Sequence, residues 1–217
     1  MTLEDEFKII KKFEKNNQSI FTEGKPFNKY RSKKIIYRSK EHLKILKERF
    51  MNDRPEFKDK SKSDKNKKNV IPDKAIYEYI KEKHSFTDED TKLVKTYHNI
   101  AMDAENRFGY YLEEFIYSKI KSENWVWCTG SILRSIDFIK ENKDNKKNSW
   151  IMLQIKNSDN SENSSSSKVR KGTNIKKWFR RSSTRDATNW DKLVEITSNQ
   201  TLNEENFLEF LRGKAKN

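Results

Sequence analysis

The segment SILRSIDFIKENKDNKKNSWIMLQIK, residues 131–156, decides the fold of this chain. Two short runs rich in β-branched and aromatic residues bracket the polar stretch 141–149, which predicts two β-strands joined by a turn. Asp137 interrupts the first run, and Gln154 and Lys156 lie two residues apart on the second. Because side chains alternate across a strand, these last two share one face. Pairing of the strands as a hairpin would bring Asp137 to the same point.

The composition indicates a basic globular protein. The chain has 217 residues, which fits one domain or one domain with a helical appendage, and it carries a formal net charge of +14. With 37% charged, 33% apolar and 12% aromatic residues, it can bury a core. Such a positive field favours polyanions, and nucleic acid is the first partner to consider. A general lysine and asparagine bias of the proteome is the alternative explanation of the charge.

Several classes of protein find no support in the sequence. The single cysteine, Cys128, rules out an internal disulfide or a cysteine zinc cluster. The three histidines lie in no metal-binding spacing, and no G-x-S-x-G, Walker or G-x-G-x-x-G motif occurs. No run approaches the roughly 20 apolar residues that a membrane span needs. We therefore expect a cytoplasmic protein without a membrane partner.

The chain is expected to divide near residue 85. Residues 1–85 predict a mostly helical region, which could still belong to the same domain, and residues 86–217 predict the core with the hairpin. Apolar residues at helical spacing predict short helices over residues 4–15, 41–51 and 73–83. In the third of these, Ile76, Tyr79 and Ile80 are expected to face inward.

A longer helix is expected from Thr87, because a threonine followed by three acidic residues is a helix start. Its later part carries an apolar stripe that includes Leu112 and Phe115. Glu113 adjoins this stripe, so it is the helix glutamate best placed for a site, although most helix glutamates are merely solvated.

A polar and then basic segment follows the hairpin directly. Residues 157–173 form a Ser/Asn-rich loop, and residues 168–185 contain eight basic residues, no acid and two aromatic residues. Such side chains bind phosphates and base edges, whereas the plain alternative is a solvated helix with a buried Trp-Phe pair. The candidate DNA contacts are Asn160, Ser161, Asn163, Ser165, Lys168, Arg170, Lys176, Lys177, Arg180 and Arg181.

The residues of the hairpin suit hydrolysis of a phosphodiester. This reaction needs a divalent metal at the phosphate and a cation that positions water or stabilises the transition state. Asp137 is a hard anionic ligand for Mg²⁺, and the side chain of Gln154 and the carbonyl of Ile155 are weaker oxygen ligands. Lys156 is the cation. Glu113 would add a second carboxylate if its helix packs beside the hairpin.

Longer stretches resemble a known family. Asp137, the turn and a strand ending in Q-x-K are similar to the PD-(D/E)XK nuclease signature. The segment LQIKNSDNSENSSSSKVRKGTNIKKWFRR, residues 153–181, followed by TNW, resembles type II restriction endonucleases, most of all the SinI type. The upstream stretches AENRFGYYLEEFI, WVWCTGS and IDFI fit the same family. The resemblance covers about residues 85–193.

This resemblance implies roles for individual residues. Asp137 matches the metal-binding aspartate, Lys156 the catalytic lysine and Glu113 the acid of the preceding helix. Gln154 stands where glutamate or aspartate is usual, and Ile136 replaces the proline of the nominal motif. The implied fold is α/β, a restriction-endonuclease-like mixed sheet flanked by helices, here with a helical N-terminal part.

The resemblance also implies an activity. Such enzymes use Mg²⁺, act as homodimers on short palindromic sites in double-stranded DNA and leave 5′-phosphate ends. The SinI type implies a site related to GGWCC and a cognate DNA methyltransferase that acts on the same site. Two alternatives stay open: a nuclease of the same core without sequence specificity, and a basic nucleic-acid-binding protein without catalysis.

Overall fold

The structure is a computed structural model that describes residues 1–17, 40–55, 73–133, 135–142, 149–160, 167 and 170–216, apart from the side chains of Asn106 and Ser131. In this part of the chain the helices are α1 (Leu3–Asn16), α2 (Lys40–Asn52), α3 (Lys74–His84), α4 (Asp88–Ile120), α5 (Trp190–Thr197) and α6 (Glu204–Ala215). The strands are β1 (Val126–Trp127), β2 (Phe138–Asn142), β3 (Ser149–Ser158) and β4 (Ile175–Arg181). Two short 3₁₀ turns, Lys121–Glu123 and Thr129–Ser131, flank β1.

The four strands form one mixed sheet in the order β1-β2-β3-β4. The first two pairs are antiparallel, and β3 pairs with β4 in parallel. Strands β2 and β3 form the predicted hairpin, with Phe138 opposite Leu153 and Asn142 opposite Ser149. The predicted fold class, a mixed sheet flanked by helices with a helical N-terminal part, is confirmed.

The chain forms two compact units. One comprises residues 1–58 and 111–217, and the other comprises residues 59–110. The first therefore holds α1 and α2 together with the sheet, as the sequence allowed for the N-terminal region. The boundary near residue 85 itself stays a prediction.

One face of the sheet in the first unit packs against α1 and α2. Paired residues Val126, Ile139, Met152 and Ile175 run across all four strands on this face. The apolar sides of both helices cover them, and Phe13 of α1 lies edge-on against Trp150 of β3, with ring centroids 5.1 Å apart. This packing holds the N-terminal helices against the hairpin.

A buried arginine ties the helices of this unit to β1. Arg54, which follows α2, is fully buried and donates hydrogen bonds to the carboxylate of Glu6 and to the carbonyl of Trp127. Its guanidinium lies over the rings of Phe50, Tyr117 and Trp127. The hydroxyl of Tyr117 donates to the same Glu6 carboxylate. Since Tyr117 lies on α4, this network also fixes the end of α4 beside β1.

Aromatic side chains fill the space between α4, β4, α5 and α6. Phe115 of α4 contacts the rings of Trp190, Phe207 and Phe210, with centroids 5.3 to 5.8 Å apart. Trp178 of β4 in turn contacts Trp190 at 5.1 Å. Aromatic burial of this kind supplies much of the apolar area of a small core.

The second unit contains α3 and the first part of α4. Asp73 caps α3, and the Thr87 hydroxyl accepts from the Asp90 amide as the predicted N-cap of α4. The expectation that Ile76, Tyr79 and Ile80 face inward is wrong: Ile76 and Tyr79 are exposed and Ile80 is only partly covered. The helical spacing places these residues along one side of α3, but that side is largely exposed. None of the helices in the described residues is long and apolar enough to cross a membrane.

Candidate active site

Asp137 lies immediately before β2 and makes two hydrogen bonds to β3. Its backbone N–H donates to the carbonyl of Leu153 at 2.9 Å, and its carboxylate accepts from the N–H of Ile155 at 2.6 Å. Ile155 is the residue between Gln154 and Lys156. The structure therefore brings Asp137 to the segment 154–156, as expected if the two strands pair as a hairpin.

The side chain of Gln154 is buried, and its oxygen accepts no hydrogen bond from the described residues. The residue is 2% exposed, and among the described residues no donor reaches Oε1. A buried carbonyl oxygen that lacks a hydrogen bond destabilises a fold by about 1–3 kcal/mol. Such an oxygen is suited to a cation that binds at the same place.

Glu113 reaches the neighbourhood from the last turns of α4. Its Oε2 accepts a 2.8 Å hydrogen bond from Nε1 of Trp127, the second residue of β1. This bond fixes the direction of the carboxylate, because the indole is fully buried and stacked on Phe138. Helix α4 thus does pack beside the hairpin, which was the condition for a second carboxylate.

The two carboxyl groups influence each other. Burial, followed by the charge of Asp137, raises the pKa of Glu113 to about 8, against the lowering effects of the Trp127 bond and of Lys156. Burial also raises the pKa of Asp137 to about 6, against the lowering effects of the Ile155 N–H and of Lys156. Two buried carboxyl groups that repel each other are stabilised in their charged forms by a nearby positive charge, and a divalent cation would supply it.

Lys156 and the backbone of Ile155 complete the set. The lysine is partly buried, and its charge acts on both carboxyl groups. In a strand the N–H and C=O of one residue leave on the same side. Because the Ile155 N–H points to Asp137, the Ile155 carbonyl lies on that side of β3 as well.

This set of groups fits a hard divalent cation. No cluster of three or more His, Cys, Asp or Glu side chains suited to a metal occurs in the described residues. The candidate set has two such side chains, Asp137 and Glu113, and its remaining donors are the amide oxygen of Gln154 and the carbonyl of Ile155. Carboxylate and carbonyl oxygens are the ligands that Mg²⁺ accepts, and the unsatisfied oxygen of Gln154 has no other described partner.

Comparison with known proteins identifies the family. A family model described as SinI restriction endonuclease matches residues 1–216. The chain belongs to the SinI restriction endonuclease family. It is 41% identical over 144 residues to the type II restriction enzyme Eco47I of Escherichia coli and 40% identical over 144 residues to the type II restriction enzyme SinI of Salmonella infantis. Each alignment covers 66% of this chain and 62% of the relative, so it spans less than two thirds of either enzyme.

One acid near the site of this SinI-family chain was not singled out from the sequence. Asp53, at the end of α2, lies close enough for its charge to raise the pKa of Glu113. In the sequence it is an ordinary polar residue after a helix. Only the packing of α2 beside the sheet brings it near the candidate site.

Four of the candidate DNA contacts, Ser161, Asn163, Ser165 and Lys168, lie outside the described residues. Asn160 is exposed two residues after β3 ends.

Lys177 pairs with Gln154 across the parallel strands β3 and β4, so both side chains lie on the same face of the sheet. Burial, followed by the charge of Arg170, lowers the pKa of Lys177. Lys177 therefore adds positive charge on the side of the sheet that carries Gln154, and Arg170 lies close enough for its charge to act on Lys177.

Residues 175–181 of the basic run form strand β4 in this family member, not a solvated helix. Lys176 pairs with Leu153 and therefore lies on the opposite face from Gln154. Arg180 does not fit a DNA-contacting role, because it is buried and donates to Asn157 and to Glu204. Arg181 is exposed and pairs with Ser158 at the end of β3.

Proposed function

We propose that this chain is a type II restriction endonuclease that cleaves double-stranded DNA in the presence of Mg²⁺. The observation that carries the proposal is the hydrogen bond from Ile155 to Asp137, which holds the carboxylate at the segment that bears Gln154 and Lys156. Membership of the SinI family supports the same activity. A cytoplasmic location suits a DNA substrate.

The proposed metal ligands are Asp137, Glu113, the side-chain oxygen of Gln154 and the carbonyl of Ile155. When bound, Mg²⁺ would neutralise the scissile phosphate and lower the pKa of an attacking water. Asp137 and Glu113 would hold their charged forms in that state, since the cation offsets the burial that raises their pKa values.

Lys156 is the proposed catalytic cation. Its ammonium group would donate hydrogen bonds to the attacking water and to the phosphate oxygen that gains charge in the transition state. Water attacks phosphorus while the P–O3′ bond breaks, so the products are a 5′-phosphate and a 3′-hydroxyl. The partly buried position of Lys156 suits this role, because a charge interacts more strongly where water is scarce.

DNA recognition is assigned to residues 158–181 on the face of the sheet that carries the candidate site. Lys177, which shares a face with Gln154, and Arg170, whose charge acts on Lys177, support this assignment. A bidentate Arg170 contact to guanine suits a GC-rich site related to GGWCC. We extend the proposal to a homodimer on a palindromic site and to a cognate DNA methyltransferase that protects it.

Digestion of a plasmid of known sequence tests the proposal. Wild-type protein with Mg²⁺ should give discrete fragments, and Asp137→Asn and Lys156→Ala should lose them. Asp191→Asn and Lys121→Ala remove exposed residues of the same types and should cut normally. All four variants should keep the wild-type circular dichroism spectrum.

Other outcomes would contradict the proposal in different ways. A continuous smear would indicate a nuclease without sequence specificity. DNA binding without any metal-dependent cleavage would indicate a non-catalytic binding protein. Full activity of Asp137→Asn or Lys156→Ala would show that the cleavage site lies elsewhere.

A further inference from the structure

The first part of α4 carries an exposed apolar stripe. Its members are Leu93, Tyr97, Ile100 and Ala104. The spacing of four, three and four residues places them along one side of the helix. Leu93, Tyr97 and Ile100 are 51%, 64% and 60% exposed, and Ala104 is also exposed. Contiguous apolar surface of this kind on a folded protein marks an interaction site.

The charge of this region favours a protein partner over nucleic acid. Residues 88–110, the part of α4 that carries the stripe, contain five acidic and three basic residues, whereas the whole chain has a net charge of +14. A polyanion would gain little from a surface with an excess of acids. The apolar stripe therefore does not belong to the DNA-contacting surface.

The stripe is symmetric about its own midpoint, which lies between residues 98 and 99. In two copies of α4 that pack antiparallel across a two-fold axis at that point, Leu93 of one copy faces Ala104 of the other, and Tyr97 faces Ile100. This is the a-to-d pairing of an antiparallel coiled coil. A two-fold interface requires such self-complementarity. If residue i of one copy contacts residue j of the other, then residue j of the first copy also contacts residue i of the second.

The charges at the ends of the stripe are self-complementary in the same register. Asp90 and Arg107 continue the stripe by one step in each direction. In the antiparallel arrangement Asp90 of one copy faces Arg107 of the other, so opposite charges close both ends. Within its own chain Arg107 also bonds to Asp103 at 3.1 Å, and that contact can persist at the edge of an interface.

We propose that a second copy of this chain binds this stripe, so that α4 forms the dimer interface through Leu93, Tyr97, Ile100 and Ala104. The inference rests on the proposed function, because one candidate site cuts one strand and a palindromic duplex cut needs two. It assigns the dimer contact to residues 90–107 of α4, none of which is a candidate metal ligand.

The oligomeric state of the full chain tests the interface without DNA or metal. Sedimentation velocity should give a dimer for wild-type protein and a monomer for Tyr97→Glu/Ile100→Glu, whose exposed positions allow the helix to fold. Asn99→Glu introduces the same charge on the same helix outside the stripe and should stay dimeric. Charged groups placed against each other or against apolar surface should raise the dissociation constant by at least about tenfold.

Disulfide cross-linking tests the register. A mixture of Leu93→Cys and Ala104→Cys proteins should form a cross-linked heterodimer on oxidation. Either variant alone should not, because two copies of one position lie about 16 Å apart along the paired helices. Wild-type protein controls for Cys128, which is buried.

The outcomes separate this inference from the proposed function. A monomeric wild type, or a dimer unaffected by Tyr97→Glu/Ile100→Glu, would overturn the interface even if the protein cuts DNA. A dimer that depends on the stripe but cuts no DNA would leave the interface standing and refute the proposed function. Cross-linking of either cysteine variant with itself would overturn the antiparallel register.

Discussion

The N–H of Ile155 donates a 2.6 Å hydrogen bond to the carboxylate of Asp137. The donor lies on β3 and the acceptor precedes β2, so the pairing of these strands sets the geometry of the candidate site. A shift of one residue would turn Gln154 and Lys156 to the other face of the sheet. The register of the hairpin and the arrangement of the site are therefore one property of the fold.

Replacing Gln154 with leucine should stabilise the metal-free protein while it abolishes cleavage. The change removes a buried oxygen that lacks a described donor, so the free energy of unfolding in EDTA should rise by about 1–3 kcal/mol. The same oxygen is a proposed ligand, so Mg²⁺ should raise the melting temperature of the variant less than that of wild type.

Gln200→Leu is the matched control for this experiment. Gln200 is exposed, so the same chemical change there should alter stability by less than about 0.5 kcal/mol and leave cleavage intact. A Gln154→Leu protein that is less stable in EDTA and still cuts DNA would contradict both roles of Gln154.

The stability of the metal-free protein should depend on Glu113 in a defined pH range. Burial and Asp137 raise the pKa of Glu113 to about 8, so the folded state holds a proton that the unfolded state releases near pH 4. This contribution to stability is present in acid and is lost as the pH rises through the folded pKa.

Glu113→Gln should therefore be more stable than wild type in EDTA at pH 8 and close to it at pH 5. The difference in unfolding free energy should reach about 1 kcal/mol or more, since one unit of pKa corresponds to about 1.4 kcal/mol. Chemical denaturation across this range measures it. Glu209→Gln, at an exposed position of α6, should change the unfolding free energy by less than about 0.5 kcal/mol, and a difference for Glu113→Gln that does not vary with pH would refute the assignment.

The sequence predicts how the candidate site residues lie relative to one another, but it does not predict what surrounds them. The two-residue spacing of Gln154 and Lys156 on an apolar strand follows from the period of a β-strand, so their shared face could be predicted. Glu113 was recognisable beside an apolar helix stripe. The position of Asp53 was not, because it depends on how α2 packs in the folded chain and leaves no local pattern.

Lys177→Ala should weaken DNA binding more than Lys176→Ala. The two lysines are neighbours in the chain, but they lie on opposite faces of β4, and Lys177 shares a face with Gln154. Loss of one phosphate contact should reduce the slope of log affinity against log salt by about 1. Binding measured in Ca²⁺ at several salt concentrations tests this, and equal effects of the two changes would contradict the assigned face.

Arg180→Ala and Arg181→Ala should separate stability from DNA binding. Arg180 is buried and bonds to Asn157 and Glu204, so its loss should lower the unfolding free energy by about 2 kcal/mol or more. Arg181 is exposed, so its loss should leave stability within about 0.5 kcal/mol and weaken DNA binding. Thermal melts and gel shifts on both variants measure the two effects, and a stable Arg180→Ala protein that fails to bind DNA would reverse the roles.

The basic run shows why the sequence could not sort these arginines. Both belong to one charged segment, and the strand period alone assigns them to opposite faces without saying which face is buried. Glu204 lies 24 residues further along the chain and approaches Arg180 only when α6 packs against the sheet. In α3 the spacing of the apolar residues defines one side of the helix, but it does not tell whether that side is covered, and Ile76 is 54% exposed.

Iron-mediated cleavage of the polypeptide can locate the metal in the folded protein. Fe²⁺ bound in place of Mg²⁺ generates hydroxyl radicals with ascorbate and peroxide, and these cleave the polypeptide near the ion. We predict cuts close to residues 113, 137 and 154–156, suppressed by excess Mg²⁺ and absent in Asp137→Asn. Cuts confined to other segments, or an unchanged pattern in Asp137→Asn, would contradict the claim that the hairpin of β2 and β3 holds the catalytic metal.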